Sequence, residues 1–144
     1  ALGADITPVM SSHPGRAAYR VRGGLKKQDG PIAVSANESG STLRFLIPVA
    51  IFSGNEVTFS GQGRLVKRPL TPYYELFDEK GVAYETTEGA LPLTVSGTLQ
   101  PGTYSLAGDV SSQFFTGLLM TLPLLEGDSV LRSTTPLESA SYVT

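Results

Sequence analysis

Two stretches of the chain are apolar nearly all the way round a helix. Leu43 to Phe52 follows the polar run Asn37-Glu38-Ser39-Gly40-Ser41-Thr42, and Phe114 to Leu125 follows Gly108-Asp109-Val110-Ser111-Ser112-Gln113. Helices without a polar face are interior elements, so both runs predict buried rods with polar tips, the second buried on every side. That second run is too short and too interrupted to span a bilayer. Asp109 or Ser111 is its expected N-cap. Ser111, Ser112 and Gln113 then sit where unpaired N–H groups and the positive end of the helix dipole favour an anion. Pro48 bends the first rod by releasing the carbonyl of Arg44.

Shorter patterns fill in the rest. Residues 1–6 read as the tail of a helix closed by Gly3 and feeding a strand. Strands are predicted near Ile6 to Met10, Ala17 to Arg22, Ile32 to Ala36 and Glu56 to Ser60. Gly61 to Pro69 is a loop carrying Arg64, Lys67 and Arg68. Pro69 or Pro72 opens an amphipathic helix, Tyr73 to Lys80, stopped by Gly81. Val82 to Thr86 and Leu91 to Ser96 form a hairpin around Glu88-Gly89.

The pattern then repeats. An offset of 73 residues lays Ile47 on Met120, Gly54 on Gly127 and Val57 on Val130. The chain divides accordingly into the end of one unit (1–31), a complete unit of strand, buried helix, strand, amphipathic helix and two strands (32–97), and a following unit that stops short (98–144). The fold class is α/β (α+β), and the expectation is a partial domain cut from a longer protein, with apolar surface exposed where neighbouring units would sit.

Composition narrows the chemistry by exclusion. Eleven basic and thirteen acidic residues leave a net charge of -2, so no global field draws the chain to nucleic acid or an anionic membrane. An anion must be held locally. The absence of cysteine removes disulfides, thiolate metal sites and a cysteine nucleophile, and is compatible with a cytoplasmic location. The single histidine, His13, lies in Ser11-Ser12-His13-Pro14-Gly15 and reads as a turn residue without metal-ligand spacing. Lys26, Lys27 and Asp29 read as a solvated turn. No metal and no cofactor are expected.

Three patches carry a family resemblance: Glu38-Ser39-Gly40-Ser41-Thr42-Leu43-Arg44, Gly63-Arg64-Leu65-Val66-Lys67-Arg68-Pro69-Leu70 and Gly108-Asp109-Val110-Ser111-Ser112-Gln113-Phe114. In order and spacing they resemble the enolpyruvyl transferases of the EPSP (5-enolpyruvylshikimate-3-phosphate) synthase family, over essentially the whole chain but about a third of such an enzyme. The resemblance implies an inverse α/β barrel lobe of βαβαββ units, with helices inside and sheets outside. It also implies transfer of the enolpyruvyl group of phosphoenolpyruvate to the 5-hydroxyl of shikimate-3-phosphate, by addition and then loss of phosphate.

By that resemblance Ser111, Ser112 and Ser139 hold shikimate-3-phosphate, Tyr142 lines its ring, and Gln113 contacts both substrates. Gly40 and Arg68 belong to the phosphoenolpyruvate site. Taken singly, Ser111 and Ser112 are N-cap residues, Gly40 a turn glycine, Arg68 a surface charge and Tyr142 a core aromatic; only their joint pattern points to a site. Arg44 is expected in a buried ion pair behind the site rather than in contact with substrate. The chain departs from many members of the family at Glu38, where they carry asparagine, and at Phe45, where they carry proline. The family's catalytic lysine and arginine ahead of residue 1, and the carboxylate and basic residues of its second lobe, are not in this sequence. The chain alone is therefore expected to be inactive and to bind shikimate-3-phosphate at millimolar affinity or weaker, its partner being the remaining lobe. The alternatives are the related transferase acting on UDP-N-acetylglucosamine and a non-catalytic phosphate-binding or interaction domain.

Overall fold

Alternation decides which way the central sheet faces. In the strand Val57–Ser60, Val57 and Phe59 are buried while Thr58 and Ser60 are not. The strand Ala90–Ser96 repeats this with Leu91, Leu93 and Val95 inward, the period-two pattern of a sheet with one face on a core. The computed structural model describes residues 2–143, apart from the side chain of Tyr142. Its strands are β1 (Asp5–Val9), β2 (Ala18–Arg22), β3 (Ile32–Ser35), β4 (Val57–Ser60), β5 (Ala83–Thr87), β6 (Ala90–Ser96), β7 (Thr103–Leu106) and β8 (Val130–Ser133). Its α-helices are α1 (Gly40–Phe52), α2 (Thr71–Lys80) and α3 (Gln113–Thr121).

The central sheet has the order β3-β4-β6-β5, with β3 and β4 parallel and the other neighbours antiparallel. Its outer face is polar, and Thr58 and Thr94 share a hydroxyl hydrogen bond of 2.9 Å there. Its inner face meets α1, whose Leu43, Ile47, Ala50 and Ile51 are almost wholly buried. A parallel pair joined by an interior helix recurs as β7-α3-β8. The two helices begin 73 residues apart, at Gly40 and Gln113, and so do the two following strands, at Val57 and Val130. The helices are thus inside and the sheets outside.

The helices α1 and α3 approach closely because α3 carries a glycine at the contact. A β-carbon added to Gly117 would lie 2.5 Å from both the Arg44 carbonyl oxygen and the Tyr73 hydroxyl. Asn55, buried at the end of α1, binds the preceding segment to this core. Its Oδ1 accepts from the Gln28 N–H at 2.8 Å, and its Nδ2 donates to the Lys26 carbonyl at 2.9 Å.

Several sequence expectations are corrected. The α3 helix is not buried on every side: Leu119 and Met120 are 43% and 52% exposed, although α1 packs closely along the helix. It also ends at Thr121, and Leu122–Leu124 continues as a tight 3₁₀ turn around Pro123, which has no N–H to give a helix. Residues 2–4 form no helix tail. Gly3 has a φ of 108°, and its backbone lies so close to Lys26 that a β-carbon would stand 2.9 Å from the Lys26 N and Cβ atoms. The role of Gly3 is close approach. Ala1 lies outside the described residues. The loop from Gly61 contains a 3₁₀ turn, Gly63–Lys67. The pair β1 and β2 exposes Ile6, Tyr19 and Val21.

Candidate functional site

The two interior helices start at equivalent serines that are used differently. Ser39 caps α1, its Oγ accepting from the Thr42 N–H at 3.1 Å. At the equivalent place before α3, Ser112 makes no capping bond. Neither Asp109 nor Ser111 is the N-cap, contrary to the sequence expectation. Thr135 explains this: its Oγ1 accepts from the N–H groups of Gly108 and Asp109 and donates to Asp109 Oδ1 at 3.0 Å. This holds residues 108–109 in a loop and delays the helix to Gln113. Ser111 Oγ accepts from the Gln113 N–H at 3.3 Å.

A cleft of about 470 Å³ opens at this helix start, lined by Ser41, Phe45, Ser111, Ser112, Gln113, Thr116 and Ser139. Its polar lining is five hydroxyls and one amide, and among the described residues no carboxylate lines it. Hydroxyls and an amide NH₂ donate readily to an anion, and the N-terminus of α3 adds its partial positive charge. Ser139 reaches the cleft from a backbone with φ of 54°, uncommon away from glycine, just before the turn Ala140–Tyr142.

Gln113 joins this cleft to a second, cationic corner. Its Oε1 accepts from Arg44 Nη1 and its Nε2 donates to Ser41 Oγ, each at 2.8 Å. A β-carbon on Gly40 would stand 2.9 Å from Arg68 Nη1, 3.3 Å from Arg44 Nη1 and 3.6 Å from Gln113 Oε1. Gly40 is helical, so the missing side chain serves space and not backbone freedom. The Arg68 side chain is exposed and makes no hydrogen bond or ion pair with another described residue.

Arg44 is not in an ion pair, which corrects the expectation; the only one among the described residues joins Lys80 to Glu79. The Arg44 side chain is buried, its guanidinium lies 4.8 Å from the centre of the Phe114 ring, and its Nε has no acceptor. Burial first, and then the like charge of Arg68, pull this guanidinium below its ordinary range. Two cations facing each other without a carboxylate leave unbalanced positive charge beside Gly40.

The predicted residues therefore fall into one connected region. Ser111, Ser112, Gln113 and Ser139 share the cleft, and Gly40 and Arg68 flank Gln113 on the other side. The backbone of Tyr142 ends the turn after Ser139; the expectation for its ring falls outside the described residues. Sequence reasoning assigned no site role to Ser41 and Thr116, and did not foresee the Arg44 to Gln113 bond. Helical spacing held part of the signal: Ser41 and Phe45 are four apart on α1, and Gln113 and Thr116 three apart on α3, so each pair shares a face. Among the described residues no group of three or more His, Asp or Glu side chains is placed to hold a metal ion, and no helix is long and apolar enough to cross a membrane.

Comparison with known proteins places this arrangement. Residues 2–143 match the family model of EPSP synthase (3-phosphoshikimate 1-carboxyvinyltransferase). The chain is 48% identical over 139 residues to the 3-phosphoshikimate 1-carboxyvinyltransferase of Clostridium novyi, a match covering 96% of this chain and 32% of that protein. It is 58% identical over 106 residues to the Clostridium kluyveri protein of the same name, covering 74% of this chain and 25% of that one. Its fold matches a solved structure of EPSP synthase from Acinetobacter baumannii with a TM-score of 0.71 at 22% identity, covering 98% of this chain and 32% of that one. The chain thus spans a third or less of the length of these relatives. With the family model matched over residues 2–143 and the fold in agreement, the chain belongs to the EPSP synthase family.

Proposed function

We propose that this chain forms the central part of one lobe of an enzyme that transfers the enolpyruvyl group of phosphoenolpyruvate to the 5-hydroxyl of shikimate-3-phosphate, releasing phosphate. In this reading residues 32–97 are one complete unit, flanked by the end of a preceding unit and the start of a following one. The cleft of Ser111, Ser112, Gln113 and Ser139 receives shikimate-3-phosphate, with Tyr142 beside the ring. Gly40, Arg68 and Gln113 receive the anionic phosphoenolpyruvate. The observation that carries this is the contrast between the two helix starts: Ser39 spends its hydroxyl on capping its helix, while Ser112 makes no capping bond and lines the cleft. A serine hydroxyl not spent on capping is left to donate to an incoming anion.

The chemistry needs proton donors and acceptors beyond this chain. Among the described residues no carboxylate pair or histidine–carboxylate couple lines the cleft, so these residues bind and orient. Proton transfer falls to the remainder of the enzyme, acting in the cytoplasm. Charge-assisted hydrogen bonds of roughly 1.5–3 kcal/mol each work against an association cost of about 4–15 kcal/mol. The chain alone thus binds shikimate-3-phosphate at millimolar affinity or weaker. Titrating it with shikimate-3-phosphate while following the backbone amides of Ser111, Ser112 and Gln113 tests the site. Shifts confined to this cleft are expected, and amides that stay still at several millimolar ligand refute the assignment.

A further inference from the structure

Arg44 is a buried cation that the family reading leaves without a task. Among the described residues it has no carboxylate partner and one nitrogen without an acceptor, and a like charge, Arg68, lies beside the same side of Gly40. Such a group costs the fold stability, which points to a use outside folding. Among the described residues its one side-chain hydrogen bond goes to Gln113 Oε1, at 2.8 Å.

A guanidinium only donates, so it admits one orientation of the Gln113 amide. The oxygen must face Arg44, which sends the NH₂ group the other way, where one hydrogen reaches Ser41 Oγ at 2.8 Å. Ser41, having accepted that hydrogen, keeps its own hydroxyl hydrogen to give, and both residues line the cleft. With the amide turned over, Oε1 would face the cleft and repel an oxyanion, while Nε2 would point hydrogens at a cation.

We propose that Arg44 is a positioning residue that fixes the Gln113 amide with its hydrogens toward the cleft, so that Ser41 and Gln113 form a donor-only wall for the oxyanion of the substrate bound there. The edge of the Phe114 ring network holds Arg44 in place, with its guanidinium over Phe114 and Phe114 packed edge-on against Tyr73 at 4.8 Å. The inference rests on the proposed substrate cleft, and it adds a residue that acts through another one.

The test uses a full-length enzyme in which this chain replaces the matching segment of the Clostridium kluyveri relative. In it Arg44→Met, Arg44→Lys, Gln113→Leu and the double variant Arg44→Met with Gln113→Leu are compared by KM for shikimate-3-phosphate, kcat and thermal midpoint. Arg44→Met and Gln113→Leu are each expected to raise that KM about tenfold or more. The double variant is expected to be no worse than the poorer single one, because one residue acts through the other. Arg44→Lys, whose ammonium still donates to Oε1, is expected to recover most of the loss. A merely structural Arg44 would lower the thermal midpoint and leave KM alone. If Gln113→Leu raises KM and Arg44→Met does not, or if the two effects multiply, the inference is overturned while the site stands. If Gln113→Leu leaves KM unchanged, the site reading itself has failed. Should Arg44→Met not fold, Arg44→Lys decides through the side-chain amide resonances of Gln113 in the 144-residue chain. A retained, slowly exchanging NH₂ pair supports the inference, and resonances averaged by rotation with unchanged KM overturn it.

Discussion

The phenol of Tyr73 donates to the carbonyl oxygen of Arg44 across 2.7 Å, and this is the oxygen that Pro48, four residues on, leaves without its helical donor. The same hydroxyl lies 3.1 Å from the Phe114 carbonyl. One side chain of α2 therefore satisfies backbone on both α1 and α3 at the level of Arg44. Tyr73→Phe leaves a buried carbonyl unpaired and is expected to destabilise the chain by about 1–3 kcal/mol. A lower urea midpoint with an unchanged slope would show it.

Alkali should find the same group. Burial holds the Tyr73 phenol well above the ordinary tyrosine value of 10.0, and the Arg44 charge only partly opposes this. Below that pH the phenol is neutral in folded and unfolded chains alike, so it adds no pH dependence. Above it the unfolded chain gives up the proton and the folded chain keeps it. Stability then falls with rising pH, by about 1.4 kcal/mol per unit. The decline is expected to start near pH 10 and to be shallower in Tyr73→Phe, with the raised Tyr104 supplying part of what remains. Identical alkaline slopes for the two proteins would assign the loss to other groups.

The helix crossing depends on Gly117. An alanine there would press its β-carbon to 2.5 Å from the Arg44 carbonyl oxygen and the Tyr73 hydroxyl. One of these atoms is backbone and cannot swing aside. Gly117→Ala is expected to cost about 1–3 kcal/mol through overpacking, despite alanine's better helix propensity. Thermal melts that match the parent chain would mean the helices separate without penalty.

Gly40→Ala should behave in the opposite way. Its β-carbon meets first the end of the exposed Arg68 side chain, at 2.9 Å, which can move, while the buried Arg44 lies farther off, at 3.3 Å. Folding is expected to be unchanged or improved by up to about 1 kcal/mol, the propensity gain of alanine over glycine. The displaced Arg68 and the added methyl close the anion corner. In the chimeric enzyme KM for phosphoenolpyruvate should rise several-fold with KM for shikimate-3-phosphate little changed. An unaltered phosphoenolpyruvate KM would remove Gly40 from that corner.

Periodicity, with turn chemistry, determined most of the element order of this chain. The two apolar runs after polar tips are α1 and α3, Gly81 does end α2 in a left-handed conformation, and Glu88 and Gly89 do turn the β5-β6 hairpin with positive φ angles. The 73-residue offset, a one-dimensional signal, survives as two parallel strand pairs each joined by an interior helix. These features are local: they depend on propensity, capping and turn chemistry that each segment carries within itself. What the sequence could not fix was which face of α3 is covered, because Leu119 and Leu118 are equally apolar and only the position of α1 separates them. It could not place the N-cap of α3, since Thr135, distant in sequence, takes Asp109 away. Nor could it foresee that Arg44 meets an amide and another cation in place of a carboxylate. A hydrogen bond across 69 residues of chain and a like-charge neighbour from a separate loop are products of packing, and only packing decided how this site is wired.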